Sequence, residues 1–186
     1  MRNYTYPSPG PCDPEWTSRS LTELVTHLSV TYRRATRQRI DVIRVLLRRV
    51  WPFDEGPRHA DLGRLANIFD LLDDAVDQHI WLEADVLCPA IVRLECPGTA
   101  FEAGACDALR QMVIMVADEH RRIRTILGQL ARAVCDIPTG SLPLPCEQAL
   151  LVSDLEMLGL ILNEQMDLED RCLWSRALDL FNNGHR

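Results

Sequence analysis

Three stretches of this chain repeat apolar side chains alternately three and four residues apart, a spacing that belongs to the buried face of an amphipathic helix. Leu62, Leu65, Phe69, Leu72, Val76, His79, Glu83 and Val86 form one stripe. Leu109, Val113, Val116, His120, Ile123, Leu127, Leu130 and Val134 form a second, and Leu151, Leu155, Leu158, Leu162, Gln165, Glu169 and Cys172 a third. Such faces leave water only by packing on one another. Upstream, Ser20-Leu21-Thr22-Glu23 has the pattern of a capping box, in which hydroxyl and carboxylate satisfy free backbone amides reciprocally. It opens a fourth stripe through Leu21, Leu24, Val25, Leu28, Tyr32 and Ala35, then Ile40, Ile43, Leu47 and Val50. Pro52 and the turn Asp54-Glu55-Gly56-Pro57 close that stripe. The expected fold is all-α, an antiparallel up-down four-helix bundle over residues 18–180, with connections at 52–60, 94–106 and 138–145. Residues 1–17, with Pro7, Pro9, Pro11 and Pro14, are expected to be an extended leader, and residues 181–186 a tail.

Composition agrees with this. Of the 186 residues, 47% are hydrophobic but only 6% aromatic, and nine are glycine, which favours aliphatic helix packing over an all-β fold. A net charge of −7 offers a nucleic acid or an anionic membrane no general attraction. All 20 basic residues are arginine, and on the first helix Arg33, Arg34, Arg37, Arg39 and Arg44 read as a solvated face. Seven cysteines, at positions 12, 88, 96, 106, 135, 146 and 172, are an odd number without CxxC spacing. No apolar run of 18 residues and no signal-peptide pattern is present. The expectation is a cytoplasmic protein with reduced, mostly core thiols, and with neither nucleic acid nor membrane as partner.

The chemistry lies where the stripes turn polar, at His79, Glu83, His120, Gln165 and Glu169. A polar group on a core face must find a partner there, because leaving it unsatisfied costs several kcal/mol. Counting along the helices puts these residues at one height. From Arg33 to Val50 is 17 residues, from Asp61 to His79 is 18, from His120 to Val134 is 14 and from Glu147 to Gln165 is 18. At about 1.5 Å of rise per residue they meet within roughly one turn. His79 and Glu83 are i and i+4, as are Gln165 and Glu169, so each pair points from one helix face into the same space. Imidazole nitrogens and carboxylate oxygens are ligands for iron, manganese and zinc, and bundle interiors are where such sites are built.

These segments resemble the hemerythrin-like (HHE cation-binding) domain, most closely the C-terminal domain of the repair-of-iron-centres family. The residues that carry the resemblance are "WTSRSLTELVTHLSVTYR", "HIWLEADVLCPAI", "MVADEH" and "QMDLEDRCLWSRAL", in that order between Trp16 and Ala177. The resemblance implies a bundle that binds two irons through four histidines and two bridging glutamates. His79, Glu83, His120 and Glu169 match that set, whereas Arg33 falls on the first-helix histidine and Gln165 on the fourth-helix histidine. On this comparison one iron loses its terminal ligands while the other keeps His79 and His120. Two versions follow. In one, a single metal (iron, or zinc or manganese) is held by His79, His120 and one or both glutamates, with the Arg33 guanidinium in the vacated cation site. In the other, no metal binds, and Arg33 neutralises both carboxylates.

Other residues carry less. His27 reads as a partly exposed surface histidine, and His59 and His185 converge on nothing. Cys146 reads as a packed thiol at a helix start, Cys172 as core, Tyr32 as packing, and Trp51, Trp81 and Trp174 as caps of the bundle. No nucleophile-base arrangement, phosphate loop or dinucleotide glycine pattern occurs. Three functions are expected to compete. The first is a metal-binding protein related to iron-sulfur-centre repair in nitrosative or oxidative stress, with O2, NO or a client protein as partner. The second is a sensor that binds one metal or small ligand. The third is a metal-free interaction bundle.

Overall fold

A computed structural model describes residues 12–50, 59–96, 104–136 and 145–183. Within them the chain is all-α, with no strand. The elements are α1 (Pro14–Ser18), α2 (Leu21–His27), α3 (Arg34–Val50), α4 (His59–Trp81), α5 (Cys88–Glu95), α6 (Ala105–Asp136), α7 (Pro145–Leu168) and α8 (Trp174–Asn183). Three π-helical turns, Leu28–Arg33, Leu82–Leu87 and Glu169–Leu173, join α2 to α3, α4 to α5 and α7 to α8 without a break.

The capping box forms as its sequence predicts. Ser20 N donates to Glu23 Oε2 at 2.9 Å, and Glu23 N donates to Ser20 Oγ at 3.1 Å. A second carboxylate reinforces this helix start, since Glu95 accepts from the amides of Leu21 at 2.6 Å and Thr22 at 2.7 Å. Gly104 precedes α6 at φ 89°, a backbone region that only glycine enters freely.

α3 packs against α7 and α4 against α6, while α2, α5 and α8 gather at one end with the first half of α6. The core divides in two. One cluster contains Ile43, Leu65, Leu72, Val76, Ile123 and Leu158; the other contains Trp16, Leu24, Leu87, Ile91, Val116, Cys172 and Trp174. Between them run the buried polar residues Arg33, His79, Glu83, His120, Gln165 and Glu169. The polar interruptions of the stripes thus form a layer separating two apolar compartments.

Several expectations are corrected. The arginines of the first helix do not share one solvated face: Arg34 and Arg37 are exposed, Arg39 and Arg44 half-buried, and Arg33 buried. Arg39 pairs with Asp154 on α7, and Arg44 Nε donates to Asp73 on α4 at 2.9 Å. The end of the leader is not extended, because Asp13 caps the short helix α1 and buries Trp16; residues 1–11 lie outside the described residues. The thiols are not uniformly reduced core groups. Cys12 and Cys172 form a disulfide, and of the free cysteines Cys88 and Cys106 are buried whereas Cys96, Cys135 and Cys146 are exposed. Trp81 does not cap the bundle, being 58% exposed, while Trp174 is core. Trp51, the helix connections and the tail from 184 lie outside the described residues, as do the side chains of His59 and His185. No helix among the described residues is long and apolar enough to cross a membrane.

Candidate metal centre

The polar layer is assembled at the π turns. In an α-helix the buried face recurs after three or four residues; at these turns the residue five places on is buried as well. Leu28 and Arg33 are both buried, as are Glu83 and Cys88, and Glu169 and Trp174. The amide of Cys88 donates to the carbonyl of Glu83, and that of Trp174 to the carbonyl of Glu169, the i to i+5 bond that defines the turn. At the turn Leu28–Arg33, Arg33 is buried although the sequence pattern set it on a solvated face. Such turns inside α-helices concentrate at functional sites.

His79 and His120 lie edge to face, with ring centroids 4.8 Å apart. Both aim Nε2 at one oxygen, Glu169 Oε2, at 3.7 Å and 3.3 Å, and His79 Nε2 is 3.5 Å from Glu83 Oε2. One ligand atom from each of His79, Glu83, His120 and Glu169 falls within 4.8 Å of all the others. Atoms bound to one cation at about 2.1 Å stand about 3.0–3.4 Å apart in octahedral or tetrahedral arrangement. The observed gaps are of that order, and none of them is a hydrogen bond. His79 Nε2, His120 Nε2, Glu83 Oε1 and Glu169 Oε2 are buried without a hydrogen-bond partner. Two imidazoles and two carboxylates, each with one buried atom free of hydrogen bonds, fit a divalent metal, and the cluster can hold one; at Glu83 the free atom is Oε1, since Oε2 accepts from Arg33.

The outward sides of the rings are also occupied. His120 Nδ1 is 2.7 Å from Asp170 Oδ1, and Arg124 donates to the other oxygen of Asp170 at 2.9 Å. His79 Nδ1 lies 3.6 Å from Glu119 Oε2, an ion-pair contact in which neither atom has a hydrogen-bond partner. The Asp170 hydrogen bond favours the His120 tautomer that presents Nε2 to a metal and raises its basicity, and Glu119 sets negative charge behind His79. Arg33 Nη2 donates to Glu83 Oε2 at 3.0 Å and reaches Cys88 Sγ at 3.2 Å. Gln165 Nε2 donates to Glu169 Oε1 at 2.8 Å, leaving Oε2 free.

Electrostatics reflect this crowding. Burial favours a neutral ring at His79, but Glu83, Glu119 and Glu169 outweigh it and lift the imidazole to about 10. Burial and the neighbouring Glu169 charge raise Glu83 to about 7. Burial acts on Glu169 in the same sense, yet His120 and His79 overcome it and hold that carboxyl well below its usual range. Protons and Arg33 supply the positive charge that the two carboxylates require when no metal does.

All six residues singled out by the stripes and the resemblance meet in this layer. The other candidates do not. His27 packs between Trp16 and Tyr32, and Cys146 is exposed. Sequence reasoning missed Glu119, Asp170, Cys88 and Arg124. Glu119 and Asp170 are the immediate neighbours of His120 and Glu169, and Cys88 stands five residues after Glu83, signals that a search for helical spacing passes over. The fold and site together define an all-helical protein with a buried two-histidine, two-carboxylate cluster. Compared with family profiles, curated proteins and solved structures, the chain matches none of them.

Proposed function

We propose that the chain is a hemerythrin-like metal-binding protein, an antiparallel up-down four-helix bundle whose polar layer holds one divalent metal ion. The observation that carries this is the convergence of four buried donor groups, each with an unpartnered atom. The resemblance of the motifs favours iron; zinc and manganese accept the same donors. When bound, the metal supplies Lewis acidity and, if it is iron, one-electron chemistry. The chain's own residues determine what is bound and how. Asp170 orients the His120 ring, Glu119 sets negative charge behind His79, Gln165 holds one oxygen of Glu169 and leaves the other free, and Arg33 stands as a fixed cation on Glu83 where a second metal would need a histidine. The setting we propose is nitrosative or oxidative stress in the cytoplasm, in a role related to iron-sulfur-centre repair, with O2, NO or a client protein as partner.

A second reading is favoured by Arg33 itself, whose guanidinium already neutralises Glu83 at 3.0 Å. In it the bundle is metal-free and serves a regulatory or interaction role. Elemental mass spectrometry after iron(II) reconstitution separates the two. About one iron per chain is expected, with a raised melting temperature, because a ligand bound only by the native state stabilises it. No iron and an unchanged melting temperature would overturn the metal reading in favour of the second. Arg33→His combined with Gln165→His is expected to raise the content to about two irons per chain. An unchanged content would refute the role assigned to Arg33.

A further inference from the structure

The polar layer is tied covalently to the segment that precedes α2. Cys172 is 1% exposed and lies in the π turn Glu169–Leu173, three residues after Glu169 and two after Asp170. Its disulfide partner Cys12 is half-buried, 160 residues away in sequence, at the start of a strap that runs to Arg19. The strap lies along α8. Arg176 donates to the carbonyls of Trp16 at 2.7 Å and Arg19 at 2.6 Å, and Trp16 packs in the cluster that contains Cys172, Trp174 and Ala177. The disulfide therefore fastens the strap to the turn that carries Glu169 and Asp170, while the two hydrogen bonds and the indole hold it to α8 and the core cluster beside that turn.

We infer that the Cys12–Cys172 disulfide is a redox latch on the metal centre: closed, it pins the turn that carries Glu169 and Asp170, and opened by a dithiol reductant it lets the metal leave faster. The inference rests on the metal-centre reading above. The exchange needs a dithiol such as a thioredoxin-class protein. Its thiolate attacks the Cys12 sulfur, the more accessible of the two, forming a mixed disulfide and expelling Cys172 as a thiolate that takes up a proton. The reductant's second thiol then displaces the Cys12 sulfur, which also ends protonated, as the reductant's own disulfide closes. Two electrons and two protons pass from the dithiol to the protein. The freed turn has an i to i+5 bond, a rare geometry among α-helices. Loss of the strap removes that support beside both Glu169 and the carboxylate that orients His120.

The test uses the full chain loaded anaerobically with iron(II), and measures transfer of the iron to a chelator. Oxidised protein is compared with protein reduced by dithiothreitol and freed of it by anaerobic gel filtration, and with Cys12→Ser. Transfer is expected to be about tenfold faster in the reduced protein and in Cys12→Ser, the order of loss seen when outer support of metal ligands is removed. The variant is expected to ignore the dithiol. Equal rates in the oxidised and reduced protein would overturn the latch. Tryptic cleavage after Arg19 gives a readout independent of metal, expected faster once the bond is open. If neither redox state takes up iron, the metal reading fails by itself, and the coupling to it falls with it. Cleavage that does not change on reduction would show that the disulfide holds no strap, and would also overturn the inference.

Discussion

A carboxylate stripped of water is tolerated only beside positive charge, and Glu83 and Glu169 are compensated from opposite sides of the layer. Arg33 sits on Glu83, while the imidazoles of His79 and His120 face Glu169. Removing the guanidinium leaves Glu83 buried and short of charge. Arg33→Leu is therefore expected to destabilise the metal-free protein by roughly 3 kcal/mol, the order observed when one member of a buried ion pair is deleted. Urea unfolding with and without added metal checks this, since a bound cation is expected to recover most of the loss. The residues behind the rings lend themselves to milder substitutions. Glu119→Gln and Asp170→Asn keep the size of the side chain but remove the charge that draws Nδ1–H. Each is expected to weaken metal binding about 10–100-fold with little change in helicity, as followed by calorimetric titration.

At the scale of elements, the π turns and the helix start at Leu21 position everything else. Glu95 reaches from the end of α5 to cap α2 through two amides and the Thr22 hydroxyl. Burial acts to raise its pKa, but the Thr22 hydroxyl and the two amides outweigh this and hold it below the usual carboxylate value. Because the folded value lies below the unfolded one, the contribution is complete above about pH 4.5, the ordinary glutamate range, and is lost as the pH falls through the folded value. Glu95→Ala is expected to cost about 1 kcal/mol at pH 7, comparable to the loss of a helix cap. The gap between variant and native protein is expected to shrink as acid unfolding proceeds below that range, which chemical denaturation at pH 7, 5 and 3 measures. A gap that stays constant across those values would refute the capping role of the charge.

For the whole molecule, two apolar clusters enclose the polar layer and one disulfide closes a loop of 160 residues. By loop-closure entropy such a bond contributes about 5 kcal/mol to stability, which corresponds to about 10–20 °C in melting temperature for a chain of this size. Cys12→Ser is expected to melt lower by an amount of that order, and differential scanning calorimetry of the oxidised protein and the variant measures it. A shift of only a few degrees would mean that the strap is held by Trp16 and Arg176 alone.

How much of this was legible beforehand depends on how far each signal reaches along the chain. The helices, the capping box at Ser20 and the height of His79, Glu83, His120, Gln165 and Glu169 follow from periodicity, because hydrophobic burial and helical rise are local rules that a single sequence obeys. The arginine pattern set Arg33 on a solvated face, since the five-residue step of a π turn breaks the period on which such readings depend. The disulfide was hidden for a different reason. Cys12 and Cys172 are distant in sequence, and no spacing rule links residues whose meeting depends on how the chain closes. The carboxylates behind the histidines lie between these cases, adjacent in sequence to stripe residues but assigned a role only when helices pack. The sequence by itself determined which faces are buried and which polar groups must share the interior. The tertiary structure alone decided which atoms face one another there, because that depends on helix rotation and on contacts between segments that no local pattern encodes.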